Sequence, residues 1–107
     1  MIENSLCFII LCPELNTGGL KQTVSSIKHW FPNTSYVCMV GEKATTEDIK
    51  ELTKLCPIFK SGSTITSLIS DGVLQSKKNW CFTIMAGVFL KPTLFKKYNY
   101  FLKDEKD

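Results

Sequence analysis

The sequence contains no arginine. All thirteen basic side chains are lysines, set against ten acidic ones, for a formal net charge of +3. Arginine supplies the bidentate contacts to phosphate and guanine on which readers of DNA and RNA depend. The lysines are scattered from Lys21 to Lys78, and only Lys91, Lys96, Lys97, Lys103 and Lys106 thicken the C-terminal end. This pattern speaks against a dedicated nucleic-acid binder, and no nucleic-acid partner is expected. Histidine occurs once, as His29, beside Trp30 and far in sequence from any carboxylate. That position reads as a surface or half-buried helix residue rather than a catalytic base. With a single histidine and no Cys-x-x-Cys pair, no zinc-type ligand cluster is expected. No run approaches the ~20 apolar residues of a membrane span. The apolar N-terminal stretch carries Glu3 and lacks a basic leader and a small-residue cleavage site, so it reads as a strand rather than a signal peptide. No Gly-x-Ser-x-Gly or equivalent nucleophile context occurs.

What is present is ordinary globular material. The 107 residues are 44% hydrophobic and 21% charged, which suits one domain and too little chain for two. A chain of this size buries roughly two thirds of its unfolded surface. The cysteines, Cys7, Cys12, Cys38, Cys56 and Cys81, are odd in number, and four sit in or beside apolar runs. There a thiol behaves as a small hydrophobe, and a reducing, cytoplasmic setting is expected.

Apolar runs and helical stripes alternate along the chain. Leu6–Cys12 is apolar on both faces and ends at Pro13, as a central parallel strand does. Asn16 or Thr17 caps a helix whose Leu20, Val24, Ile27 and Phe31 share one face, until Pro32-Asn33 stops it. Tyr36–Val40 is a second strand. Thr45-Thr46-Glu47-Asp48 has the form of a capping box ahead of Ile49, Leu52 and Leu55. Pro57–Phe59 makes a short third strand. Ser61-Gly62-Ser63 is a turn, and the helix from about Ser63 to Ser76 sets Ile65, Leu68, Ile69 and Val73 on one side. Gly72 within it points to close packing, since glycine costs about 1 kcal/mol there against alanine. Trp80–Met85 is the fourth strand. A short helix or loop is expected over Thr93–Tyr98, and residues 103–107 form a charged, frayed tail. The order β-α-β-α-β-α-β predicts a single α/β domain over residues 1–107: a three-layer, Rossmann-like sandwich with a mostly parallel sheet of about four strands and helices on both faces. Ligands of such sheets sit beyond the carboxyl ends of the strands, at the switch point. That draws attention to the loops Pro13–Gly19, Gly41–Thr45 and Ala86–Pro92.

On these loops the chain resembles a family 2 glycosyltransferase of GT-A fold. The residues that carry the likeness are Cys12-Pro13-Glu14-Leu15-Asn16 with Leu20 and Ile27, then Val40 through Asp48, then Ser70-Asp71-Gly72 leading to Trp80–Met85. It extends over residues 5–92. The resemblance implies a half-fold that binds a nucleotide or nucleotide sugar, with Pro13, Glu14, Leu15 and Asn16 against base and ribose. It also implies that Glu42 accepts a hydrogen bond from the base. Gly62, ahead of a helix start, is a candidate for the phosphates. The family's Asp-x-Asp falls on Met85-Ala86-Gly87. Neither Met85 nor Gly87 offers the carboxylate oxygen a hard divalent cation requires, so no metal is expected. The acceptor-binding half, with its catalytic base, is expected from a partner chain. Each feature also has a plainer reading: Glu42 as a solvated turn residue, Asn16 as a helix cap, Gly62 as turn chemistry. Two functions follow. One is a glycosyltransferase-like platform for a nucleotide or nucleotide sugar, without independent catalysis. The other is a non-catalytic module that self-associates as a homo-oligomer through its sheet edge and the aromatics Phe89, Phe95, Tyr98, Tyr100 and Phe101.

Overall fold

The computed structural model describes residues 5–62 and 64–90. The expected element over Thr93–Tyr98, the charged tail at 103–107 and the aromatics Phe95, Tyr98, Tyr100 and Phe101 lie outside the described residues, as does Ser63. The elements are β1 (Leu6–Cys12), α1 (Thr17–Trp30), β2 (Ser35–Val40), α2 (Thr46–Thr53), β3 (Ile58–Lys60), α3 (Ile65–Ser76) and β4 (Trp80–Met85). The four strands pair in parallel in the order β3-β2-β1-β4. The chain therefore steps from β1 outward to β3, then crosses back to the other side of β1. The sheet's switch point lies between β1 and β4.

β1 is buried along its whole length, and its alternation divides the core. Leu6, Phe8, Ile10 and Cys12 face Leu20, Val24 and Ile27 of α1 and Leu52 of α2. Cys7, Ile9 and Leu11 face the other way, with Val37, Met39 and Leu68 of α3. The domain is thus an α/β sandwich with α1 and α2 on one face of the parallel sheet and α3 on the other.

Local chemistry fixes the helix ends. Asn16, rather than Thr17, caps α1, accepting from the Gly19 amide at 3.0 Å. Thr45 and Asp48 form the reciprocal capping box of α2, at 3.1 and 3.3 Å. Thr64 caps α3 by accepting from Ser67 N at 3.1 Å, so the helix begins two residues after the expected Ser63. β3 is one residue later than Pro57–Phe59. Pro57 has no N–H to give the ladder, although its carbonyl accepts from Cys38 N at 2.8 Å.

The buried side of α3 differs from expectation. Leu68, Gly72 and Ser76 are buried, whereas Ile65 and Val73 are 43% and 45% exposed. Both series share helical spacing, but the small pair lets the helix axis approach the sheet. A Cβ on Gly72 would stand 2.5 Å from Ile9 Cγ2 and 3.1 Å from Met39 Cγ. The close packing inferred for Gly72 is present, and it turns Ile65 and Val73 outward. Among the described residues no helix is long and apolar enough to cross a membrane.

Candidate functional site

The site is built where β1 and β4 end. Cys12 is the last residue of β1, and Pro13 stops the ladder. Gly41 then brings the end of β2 against this turn. Its amide donates to the Cys12 carbonyl at 3.3 Å, and a Cβ on it would lie 2.3 Å from the Pro13 carbonyl oxygen. Only a residue without a side chain allows this approach.

The loop after β4 is fastened from α1. The buried Thr23 hydroxyl donates to the Val88 carbonyl at 2.8 Å and accepts from the Gly87 amide at 2.9 Å. Ser26, also buried, accepts from Leu90 N at 3.2 Å. The Gly87 amide lies 3.1 Å from the Gly19 carbonyl as well, and Gly87 has φ +102°, a conformation side chains rarely adopt. These bonds set Met85 and Ala86 opposite the turn after β1.

Between the loops lies an open cleft of about 660 Å³. Pro13, Glu14, Leu15 and Asn16 line it from the β1 side and Glu42 and Lys43 from the β2 side, with Met85 and Ala86 opposite. Leu11, Cys12 and Ile65 complete the wall. Six residues singled out from the sequence, Pro13 to Asn16, Glu42 and Met85, therefore share one cavity. Gly62 and Gly87 are not among its lining residues. Near Gly62, the Ser61 hydroxyl is hydrogen-bonded to the Asp71 carboxylate, and a Cβ on Gly62 would press on Ser67 Oγ at 2.8 Å. A second recess of about 310 Å³ adjoins the cleft behind Pro13 and adds Asp48.

The cleft mixes apolar and charged surface. Leu15, Ile65 and Met85 expose 40%, 43% and 44% of their area, enough to cover the face of a planar ring. Glu14, Glu42 and Lys43 are exposed and supply its charge. Cys12 forms part of the wall through a thiol cluster with Cys38 and Cys56. Sharing a proton with Cys38 holds the Cys12 thiol below the ordinary range, against the opposing effect of burial. Cys38 is raised by the same sharing, and Cys56 is lowered by its bond to Cys38. Among the described residues no group of three or more ligand side chains could hold a metal ion.

Sequence reading missed Thr23 and Ser26. Their signal was available: hydroxyl residues on the apolar stripe of α1 beside Leu20, Val24 and Ile27 need partners when buried. It also missed Ile65 as a cleft residue, because the helical stripe assigned it to the core. No protein-family model, curated protein or solved structure matches this chain.

Proposed function

We propose that this domain is a glycosyltransferase-like binding platform whose cleft takes a nucleotide or nucleotide sugar and does not by itself transfer the sugar. One observation carries the reading. The loops after β1, β2 and β4 converge on a single cleft at the switch point of a parallel sheet, where such folds hold ligands. Leu15, Ile65 and Met85 offer apolar surface to a base, and the Glu42 carboxylate is an acceptor for a base N–H. Met85 and Gly87 supply no carboxylate for a metal-bound diphosphate, which speaks for binding without catalysis. A sugar transfer at this site would need acidic and acceptor-binding groups that the described residues do not supply. The free thiols of all five cysteines suit a reducing, cytoplasmic compartment.

The test is thermal unfolding of the full chain with uridine and guanosine diphosphates, with and without manganese. A ligand that binds only the folded state raises the midpoint by mass action. The expected result is a rise of several degrees at millimolar ligand, independent of manganese. No rise with either diphosphate or with the parent nucleosides, uridine and guanosine, removes this reading.

A second reading, self-association, rests on β4. β4 stands last in the strand order beside β1, and Trp80-Cys81-Phe82-Thr83-Ile84-Met85 contains no charge or proline. Trp80 and Met85 are 39% and 44% exposed. Sedimentation at high concentration decides it, and a strict monomer removes it.

A further inference from the structure

We propose that the cleft selects an uncharged nucleoside over the corresponding nucleoside diphosphate. The inference rests on the nucleotide-site reading above and specifies the ligand class of that same cleft.

The walls of the cleft carry the wrong charge for a phosphate. Glu14 and Glu42 face the cavity against Lys43 alone, and the adjoining recess adds Asp48. A diphosphate would bring its negative charge into a surface that is already net negative. One uncompensated unit charge about 6 Å away in water costs roughly threefold in affinity, and a diphosphate carries more than one.

Several of the groups that normally hold phosphate are missing or engaged. The chain has no arginine for a bidentate clamp. β4 ends in Met85, which offers no carboxylate to hold a cation against a phosphate. At the start of α3 the Ser61 hydroxyl is taken by the Asp71 carboxylate, and Thr64 accepts from the Ser67 amide. A phosphate brought there would meet Asp71.

What the cleft does offer suits a base and its ribose. Leu15, Ile65 and Met85 are apolar, exposed and gathered around one opening. Glu14 and Glu42 beside them are acceptors for ring N–H, exocyclic amine or ribose hydroxyl donors. None of these contacts depends on phosphate.

The experiment is isothermal titration of the full chain with uridine and guanosine and with their 5′-diphosphates, at about 0.02 M and about 0.3 M salt. The expected result is that at least one nucleoside binds threefold or more tighter than its diphosphate at low salt. The gap should narrow at high salt as the repulsion is screened. A diphosphate that binds tighter, with affinity falling as salt rises, overturns the inference and leaves the nucleotide reading standing. Absence of binding by all four ligands overturns both. A Glu14→Lys, Glu42→Lys double variant, both sites being exposed, reverses the sign of the cleft and should reverse the order for any ligand still bound. An unchanged order with binding retained overturns the role given to wall charge, and the inference with it.

Discussion

The Thr23 hydroxyl closes two bonds to the loop after β4, donating to the Val88 carbonyl at 2.8 Å while accepting from Gly87 N at 2.9 Å. One side chain thus serves as donor and acceptor to adjacent residues more than sixty positions away. Thr23→Val keeps the shape and removes both bonds. Losing these part-buried bonds costs about 0.5–1.5 kcal/mol each, softened here because Gly87 N also has the Gly19 carbonyl at 3.1 Å. The expected outcome is an unfolding free energy lowered by about that amount, read from urea titrations, and faster amide exchange at Gly87. Thr23→Ser should retain most of the protection. Equal exchange in the valine variant and the parent would show that the loop is held by other contacts.

Two glycines should respond in opposite directions to alanine. Gly72→Ala places a methyl 2.5 Å from Ile9 Cγ2, and overpacking of that kind costs about 1–3 kcal/mol against a helix-propensity gain of about 1 kcal/mol. Net destabilisation of about 1 kcal/mol is expected. Gly18→Ala meets nothing within 4 Å and should stabilise the first turn of α1 by a few tenths of a kcal/mol. Paired urea titrations check the signs. A stabilising Gly72→Ala would mean that α3 can move off the sheet at little cost.

Glycine 72 also marks the boundary of what was legible in the sequence. β1 and β4 match their apolar runs residue for residue, because Pro13 and the polar stretch Lys77-Lys78-Asn79 mark their ends. The Thr45–Asp48 box was readable because its reciprocal bonds join residues three apart. The face of α3 was not. Leu68 and Ile69 pack on the sheet as expected, but Ile65 and Val73 share the helical period of Leu68-Gly72-Ser76, and which series turns inward is decided by how closely Ile9 and Met39 approach, which is tertiary information. The cleft was readable as a set of loops, since switch-point geometry follows from element order. Ile65 and the Thr23 anchor were not, since each depends on contacts between segments far apart in sequence.

Gly41→Ala should act on the cleft more than on the core. Its new Cβ would lie 2.3 Å from the Pro13 carbonyl oxygen, which is backbone and yields only by moving the turn. That turn carries Pro13 through Asn16 along the cavity wall. The expected outcome is loss of ligand affinity by about tenfold, alongside destabilisation of about 1–3 kcal/mol. Calorimetry with the tightest ligand, at a temperature where the variant is folded, separates the two effects. Unchanged affinity would remove the turn from the site.

Glu42→Ala is the direct probe of base recognition. A hydrogen bond to a charged acceptor contributes about 1.5–3 kcal/mol, so affinity should fall about tenfold or more. Stability should change by no more than about 0.5 kcal/mol, because the side chain is exposed on the turn after β2. Titration of variant and parent with the same ligand checks this. Equal affinities would leave Glu42 as a solvated turn residue.

The pH dependence of stability above neutrality should carry the signature of Cys7. Burial pushes this thiol up first, electrostatic repulsion from the neighbouring Cys81 second, from an ordinary 9.0 to about 11. Cys81 lies directly opposite it in the β1–β4 ladder. The unfolded chain therefore releases this proton at lower pH than the folded chain. Below pH 9 the proton is bound in both states, and the contribution of the neutral thiol to stability is fully present. As pH rises from 9 towards 11 the unfolded state alone ionises, and that contribution is lost. A rise from 9.0 to about 11 corresponds to at most about 2–3 kcal/mol, and relaxation around the thiolate reduces the figure. Lysine titration also lowers stability in this range, so the informative quantity is a difference between variants. Urea midpoints of parent and Cys7→Ala, each taken near pH 8 and near pH 10.5, should show a smaller alkaline drop in the alanine variant. Identical drops would mean that Cys7 does not remain protonated in the folded sheet, and that the contact between β1 and β4 tolerates a charge at its centre.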